Sequence, residues 1–135
     1  MSELRLSEEQ LEHIIDLALA EDLGHGDITS ELLIPPALEG KASMLVKAKG
    51  IIAGGEIAKR IFLRVDPSLN AELLTKDGAE VRPGDIVASI SGKVISILKA
   101  ERTVLNFVQR LSGIATLTSQ YVAQTKGCPA RVTDT

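Results

Sequence analysis

The chain has 135 residues, 44% of them hydrophobic and 24% charged, a balance that suits one ordinary folded domain and excludes a fibrous or low-complexity chain. A formal charge of -3 and an aromatic content of 2% oppose a general nucleic-acid role, since phosphates ask for cations and single-stranded bases ask for stacking rings. Cys128 stands alone, which rules out an internal disulfide framework and, with no Cys-x-x-Cys or paired histidines, leaves a structural zinc ion without ligands.

The first residues, Met1 to Glu9, lack the basic region and apolar run of a signal peptide. No window approaches the ~20 apolar residues of a membrane span. The expectation is a soluble, cytoplasmic protein with no membrane and no nucleic-acid partner. Ser7-Glu8-Glu9-Gln10 has the spacing of a capping box, and a helix is predicted after it with Leu11, Ile14, Ile15, Ala18 and Leu19 on one face, ended by Gly24. Thr29 is placed to cap a short turn before Pro35-Pro36. From Lys41, alternation of Ala42, Met44, Val46 and Ala48 with Lys41, Ser43 and Lys47 predicts a half-buried strand. A second helix is predicted over Glu56 to Arg64, with Ile57, Ile61 and Phe62 or Leu63 inward and the turn Asp66-Pro67-Ser68 closing it. Short strands are expected at Ala71–Leu74, Asp85–Ile90 and Lys93–Leu98, separated by turns at Asp77-Gly78, Pro83-Gly84 and Ser91-Gly92. A long helix then runs from about Ala100 to Thr125, provided Gly113 does not break it, and Gly127-Cys128-Pro129 stops it. Ala130 to Thr133 reads as the beginning of a strand with no partner to follow, as if a second domain were to start there. Helices and short strands in this order make an α+β layer.

Four places could carry chemistry. Gly50 to Gly55 lies between a strand and a helix, where backbone amides can hold a phosphate; without a Gly-Lys-Ser/Thr ending or G-x-G-x-x-G spacing, a tight structural turn is the favoured reading. Asp22, His25 and Asp27 offer three metal ligands in six residues, although capping and loop bonding explain them more simply. Lys93 beside Ser91-Gly92 has the look of a lysine presented at a hairpin tip, as in biotin and lipoyl carriers, but lacks their flanking residues. The long helix puts Arg102, Asn106, Gln109, Gly113, Thr116 and Gln120 on one narrow stripe. Periodicity alone favours a wet helix face. Against that, a helix start at Ala100 would put Arg102 in the first turn, where the dipole disfavours a cation, and Gly113 makes sense if another backbone or a ligand comes close.

The segments Glu21-Asp22-Leu23-Gly24-His25-Gly26-Asp27-Ile28-Thr29-Ser30 and Glu101-Arg102-Thr103-Val104-Leu105-Asn106, continuing to Ser112-Gly113-Ile114-Ala115-Thr116, closely resemble quinolinate phosphoribosyltransferase, also called carboxylating nicotinate-nucleotide pyrophosphorylase. Val65-Asp66-Pro67, Asp77-Gly78 and Pro83-Gly84 fit in collinear order, so the resemblance spans nearly the whole chain. It implies the α+β amino-terminal sandwich of a type II phosphoribosyltransferase over residues 1–112 and the first elements of a truncated α/β barrel over 113–135. It also implies transfer of the phosphoribosyl group from phosphoribosyl pyrophosphate to quinolinate with release of carbon dioxide and pyrophosphate, yielding nicotinate mononucleotide for NAD synthesis. Magnesium accompanies the pyrophosphate. The resemblance makes Arg102 a substrate-carboxylate contact that reaches a neighbouring subunit of a homodimer or higher oligomer with a shared active site, and makes Thr135 a substrate contact opening a Thr-Arg-Lys segment. No residue is assigned a catalytic or metal-binding role. Because the family's basic barrel residues follow this point, the chain alone is expected to be inactive and to expose the apolar side of its long helix. A phosphoribosyltransferase-like protein associated with molybdenum transport and a non-catalytic dimerisation module remain alternatives.

Overall fold

The computed structural model describes residues 6–24 and 33–127, and its elements in chain order are α1 (Glu8–Gly24), β1 (Glu39–Leu45), β2 (Gly50–Ile51), α2 (Gly55–Val65), β3 (Asn70–Leu73), β4 (Glu80–Val81), β5 (Ile86–Lys93) and α3 (Val94–Thr125). The expected α+β class is what forms. Around α1 the capping box closes as predicted: the Ser7 amide donates to Gln10 Oε1 at 3.0 Å and the Gln10 amide to Ser7 Oγ at 3.1 Å. Ile15 and Leu19 are buried, whereas Ile14 of the predicted apolar face remains 38% exposed. Glu8, Glu12 and Asp16, each one turn further along α1, pair with Arg60 and Arg64 of α2. Exposed pairs of this kind contribute at most about 1 kcal/mol each, against about 1.5–3 for burying an Ile or Leu, so Ile15 and Leu19 hold α1 and the ion pairs set its register.

Three strands form an antiparallel sheet in the order β1-β5-β3, and β2 with β4 forms a second, two-stranded one. The alternation predicted from Lys41 has the right phase, with Ala42 and Met44 turned towards the core and Lys41 and Ser43 exposed, but the strand starts at Glu39 and ends at Leu45. Across the sheet, Ala42, Ile90 and Ala71 stand in one row and Met44, Ala88 and Leu73 in the next. These rows pack with Ile61 and Phe62 of α2 and Ile97, Val104 and Val108 of α3 into a single core.

The structure departs from the sequence pattern at two neighbouring stretches. Ser91-Gly92 is no turn: β5 continues through it because Ser91 faces Lys41 on one side and Asn70 on the other, and Gly92 faces Gly40. The predicted strand Lys93–Leu98 is the first part of α3, since Ser96, Ile97, Ala100, Thr103, Val104 and Val108 are buried at helical spacing. Lys93 is therefore a strand end running into a helix, and the hairpin tip required by a lysine carrier does not exist.

Gly54 and Gly55 form the tight turn that the sequence favoured over a phosphate site. Gly54 precedes α2 with φ 95°, a region that suits glycine. Its amide and that of Gly55 donate to Asp77 Oδ2 and Oδ1, both at 3.0 Å, so a carboxylate of the chain itself already fills the anion position at this helix start. Asp77→Ala should cost about 1–2 kcal/mol, as loss of a helix cap does, read as a lowered urea midpoint at unchanged slope. An unchanged midpoint would show that water replaces the carboxylate without loss.

The turn after α2 is tied by a second acid. Asp66 accepts from the Ser68 hydroxyl at 2.6 Å, the Ser96 hydroxyl at 2.7 Å and the Ser68 amide at 2.9 Å. The Ser68 and Ser96 hydroxyls and the Ser68 amide, in that order, hold its pKa down from 3.8 to about 2. With the folded value depressed, the contribution of Asp66 is complete above the ordinary pKa of 3.8 and is lost as the pH falls towards 2. Acid titrations of stability for the chain and for Asp66→Asn should therefore converge across that window; parallel curves would mean that these contacts do not favour the ionised form.

Candidate functional site

Helix α3 is the platform from which the predicted site residues project. Its buried side, from Ile97 through Ala100, Thr103 and Val104 to Val108, is fixed against sheet and helices, so the opposite side is turned outward. Arg102, Asn106, Gln109, Gly113 and Gln120 are all exposed on that side. Because α3 begins at Val94, Arg102 lies in the third turn, and the argument from an unfavourable dipole in the first turn falls. What distinguishes Arg102 is different: Arg60 and Arg64 are ion-paired, whereas among the described residues Arg102 makes no ion pair. Gly113 interrupts nothing, and a Cβ built there meets no atom within 4 Å, so the expected close approach at this glycine is absent among the described residues.

Thr116 departs from the predicted wet stripe. Its hydroxyl accepts from the Ile51 amide at 2.9 Å, and the Ser112 hydroxyl accepts from the Ala53 amide at 2.9 Å, so α3 satisfies the side of β2 that β4 leaves free. The close approach is real, but it occurs at Gly50, where a Cβ would meet Thr116 Oγ1 at 2.7 Å. A groove of about 740 Å3 lies between the β1–β2 segment and this half of α3, with Met44, Val46 and Val108 as apolar wall and Lys47, Gln109 and Gln120 among its polar lining. Further along, Ile114, Leu117 and Tyr121 are 58%, 54% and 53% exposed and share one side of α3, as expected of an apolar side without cover.

A second cleft, about 530 Å3, opens between α1 and α3 and is lined by Asp22, Thr103, Asn106, Arg110 and the apolar Phe107 and Leu111, among others. Thr103 is fully buried and donates its hydroxyl to Asp22 Oδ2, which pins the end of α1 to α3 directly beside Arg102. Asp22 thus has a structural partner among the described residues. His25, Asp27, Thr29, Cys128, the strand expected at Ala130–Thr133 and the substrate contact Thr135 lie outside the described residues. Among the described residues, no three His, Cys, Asp or Glu side chains gather to hold a metal ion, and no helix is long and apolar enough to cross a membrane.

These features define a small α+β domain that presents an arginine-bearing helix face. Residues 27–112 match the family model described as quinolinate phosphoribosyl transferase, N-terminal domain. The chain belongs to the quinolinate phosphoribosyltransferase family. It is 50% identical over 109 residues to quinolinate phosphoribosyltransferase [decarboxylating] 1 of Nicotiana glauca, covering 80% of this chain and 31% of that protein. A probable nicotinate-nucleotide pyrophosphorylase [carboxylating] of Synechocystis is 42% identical over 119 residues, covering 87% of this chain and 39% of the relative. The crystal structure of NadC from Streptococcus pyogenes superposes with a TM-score of 0.81 at 34% identity, covering 87% of this chain and 43% of that one. The chain spans about a third of the length of the curated relatives it matches.

Proposed function

We propose that this chain is the amino-terminal, substrate-contacting part of an enzyme that transfers the phosphoribosyl group of phosphoribosyl pyrophosphate to quinolinate, releasing carbon dioxide and pyrophosphate and forming nicotinate mononucleotide for NAD synthesis. One observation carries the reading: Arg102, exposed and without an ion pair among the described residues, stands on a rigid helix in a chain half-identical to a protein named for quinolinate transfer. The names of the relatives favour this reaction over the molybdenum-associated alternative. Both substrates are polyanions, so the chemistry asks for fixed donors that hold them together and oppose charge on the leaving pyrophosphate. Arg102 supplies a planar two-donor fork for one carboxylate. No side chain of this chain is assigned a bond-making step.

Magnesium would accompany the pyrophosphate as part of that substrate. Arg102 faces outward, and the cover that would exclude water from it is a neighbouring subunit of a homodimer or higher oligomer. The exposed Ile114, Leu117 and Tyr121 support an assembly of that kind. Thr135 takes the second substrate contact, at the start of the barrel part that we place from residue 113 onward, where the family match has ended. Cytoplasmic location belongs to the same proposal; relatives named as chloroplastic and mitochondrial define what fractionation has to distinguish.

The test is to incubate an enzyme of the relatives' full length carrying these residues with quinolinate, phosphoribosyl pyrophosphate and magnesium. Carbon dioxide, pyrophosphate and nicotinate mononucleotide in equal amounts are expected. Pyrophosphate release without decarboxylation, or no reaction, would contradict the proposal.

A further inference from the structure

Asn106 is expensive where it stands. It lies in the middle of α3, where asparagine is among the poorer helix formers, and it earns nothing back locally. Its side chain is exposed and takes part in no hydrogen bond among the described residues, in contrast to Ser112, Thr116 and Ser119 of the same helix, whose hydroxyls all bond to backbone. It follows Arg102 by one turn on the same stripe, about 6 Å along the axis. It also lines the cleft between α1 and α3, where the Thr103–Asp22 bond already satisfies the neighbouring polar pair and leaves the amide of Asn106 uncommitted.

We infer that Asn106 is a specificity-determining residue: its amide reads the second polar group of the substrate whose first carboxylate Arg102 holds. The inference rests on the reading of Arg102 given above. An arginine alone binds any accessible carboxylate, because its attraction is mostly charge. A neutral amide one turn away adds a directional donor and an acceptor without adding charge, which separates a molecule bearing two adjacent polar groups from one bearing a single carboxylate. Arg110, two turns from Arg102 and also exposed, lines the same cleft together with the carboxylates Glu21 and Asp22 of α1. Arg102 and Asn106, exposed one turn apart on α3, address the two neighbouring polar groups of a pyridine dicarboxylate: one carboxylate on the guanidinium of Arg102, the other polar group on Asn106.

The experiment is steady-state kinetics on the complete enzyme with quinolinate varied, for Asn106→Ala, Asn106→Asp and Arg102→Ala, with melting temperatures measured alongside. Asn106→Ala should raise the KM for quinolinate about tenfold with kcat nearly unchanged, the loss of one hydrogen bond to a charged group. Asn106→Asp places a like charge against the substrate and should raise KM by about a hundredfold or more, with the increase shrinking in high salt. The KM for phosphoribosyl pyrophosphate should move much less in both. If Arg102→Ala is impaired while Asn106→Ala keeps the parental KM, the inference fails and the reading of Arg102 stands. If both Asn106 variants lose kcat in step with a fall in melting temperature, Asn106 is structural and the inference fails. If Arg102→Ala is itself unimpaired, the functional reading falls, and this inference with it.

Discussion

Arg102→Ala in the complete enzyme should lower quinolinate use by tens to thousands of fold and leave folding almost unchanged. Losing an arginine that contacts a carboxylate away from water commonly costs on the order of 2–5 kcal/mol of binding free energy, which is that range of fold-change. The stability side is small for a reason visible in the fold. Arg102 is exposed, sits in the third turn of α3 beyond the reach of the helix dipole, and makes no ion pair among the described residues. A surface substitution of this kind stays within about 0.5 kcal/mol. Arg102→Lys should recover only part of the loss, because an ammonium cannot reproduce the planar fork. Kinetics and urea unfolding on the same preparations separate the two effects. Unchanged kinetics would return Arg102 to an ordinary solvated helix face.

The double variant Ser112→Ala with Thr116→Val should show the reverse pattern, a large loss of stability that originates away from Arg102. The two hydroxyls accept from the Ala53 and Ile51 amides, each at 2.9 Å, and β2 is only two residues long. Removing both acceptors leaves two donors facing a helix that can no longer answer them. Each unmade bond costs about 1–3 kcal/mol when buried, and the lower part of that range applies because Ile51 and Ala53 are half-buried. Together about 2–4 kcal/mol is expected, a large share of the 5–15 typical of a whole domain. The loss should appear as a shifted denaturant midpoint, with early hydrogen exchange at the Ile51 and Ala53 amides. A midpoint within a few tenths of a molar of the parent would show that β2 is held by its pairing with β4 instead.

Local signals were legible in the sequence and distant ones were not. The capping box at Ser7 and Gln10 works through residues three apart, and α2 declares itself by Ile57, Ile61 and Phe62, so both helices are readable from neighbours alone. The start of α3 is hidden in the sequence because Val94, Ile95 and Ile97 carry β-branched side chains, and Lys93 before them offers no side-chain cap to mark a helix start. Strands β2 and β4 have two residues each, too few for alternation to register. The partners of Thr116, Ser112, Asp77 and Thr103 lie from 22 to 81 residues away in the chain, and no periodicity encodes them. A serine and a threonine four apart on one helix face hint that the helix has a backbone to satisfy, but periodicity alone favours a face turned to water. Arg102 was singled out by its motif; the geometry adds that its side of α3 is turned outward, and that Asn106, beside it, lines a cleft.

Hybrid oligomers test most directly the proposal that Arg102 serves a site completed by another subunit. The Arg102→Ala enzyme, impaired at its amino-terminal contact, is mixed after dissociation with a second full-length variant disabled in the basic residues proposed to lie beyond this chain. In a two-fold dimer with shared sites, random exchange should leave one hybrid site intact in each mixed dimer, so about a quarter of the parental activity should return. Activity no greater than the sum of the two variants, with hybrid dimers confirmed by mass, would contradict a contact across subunits.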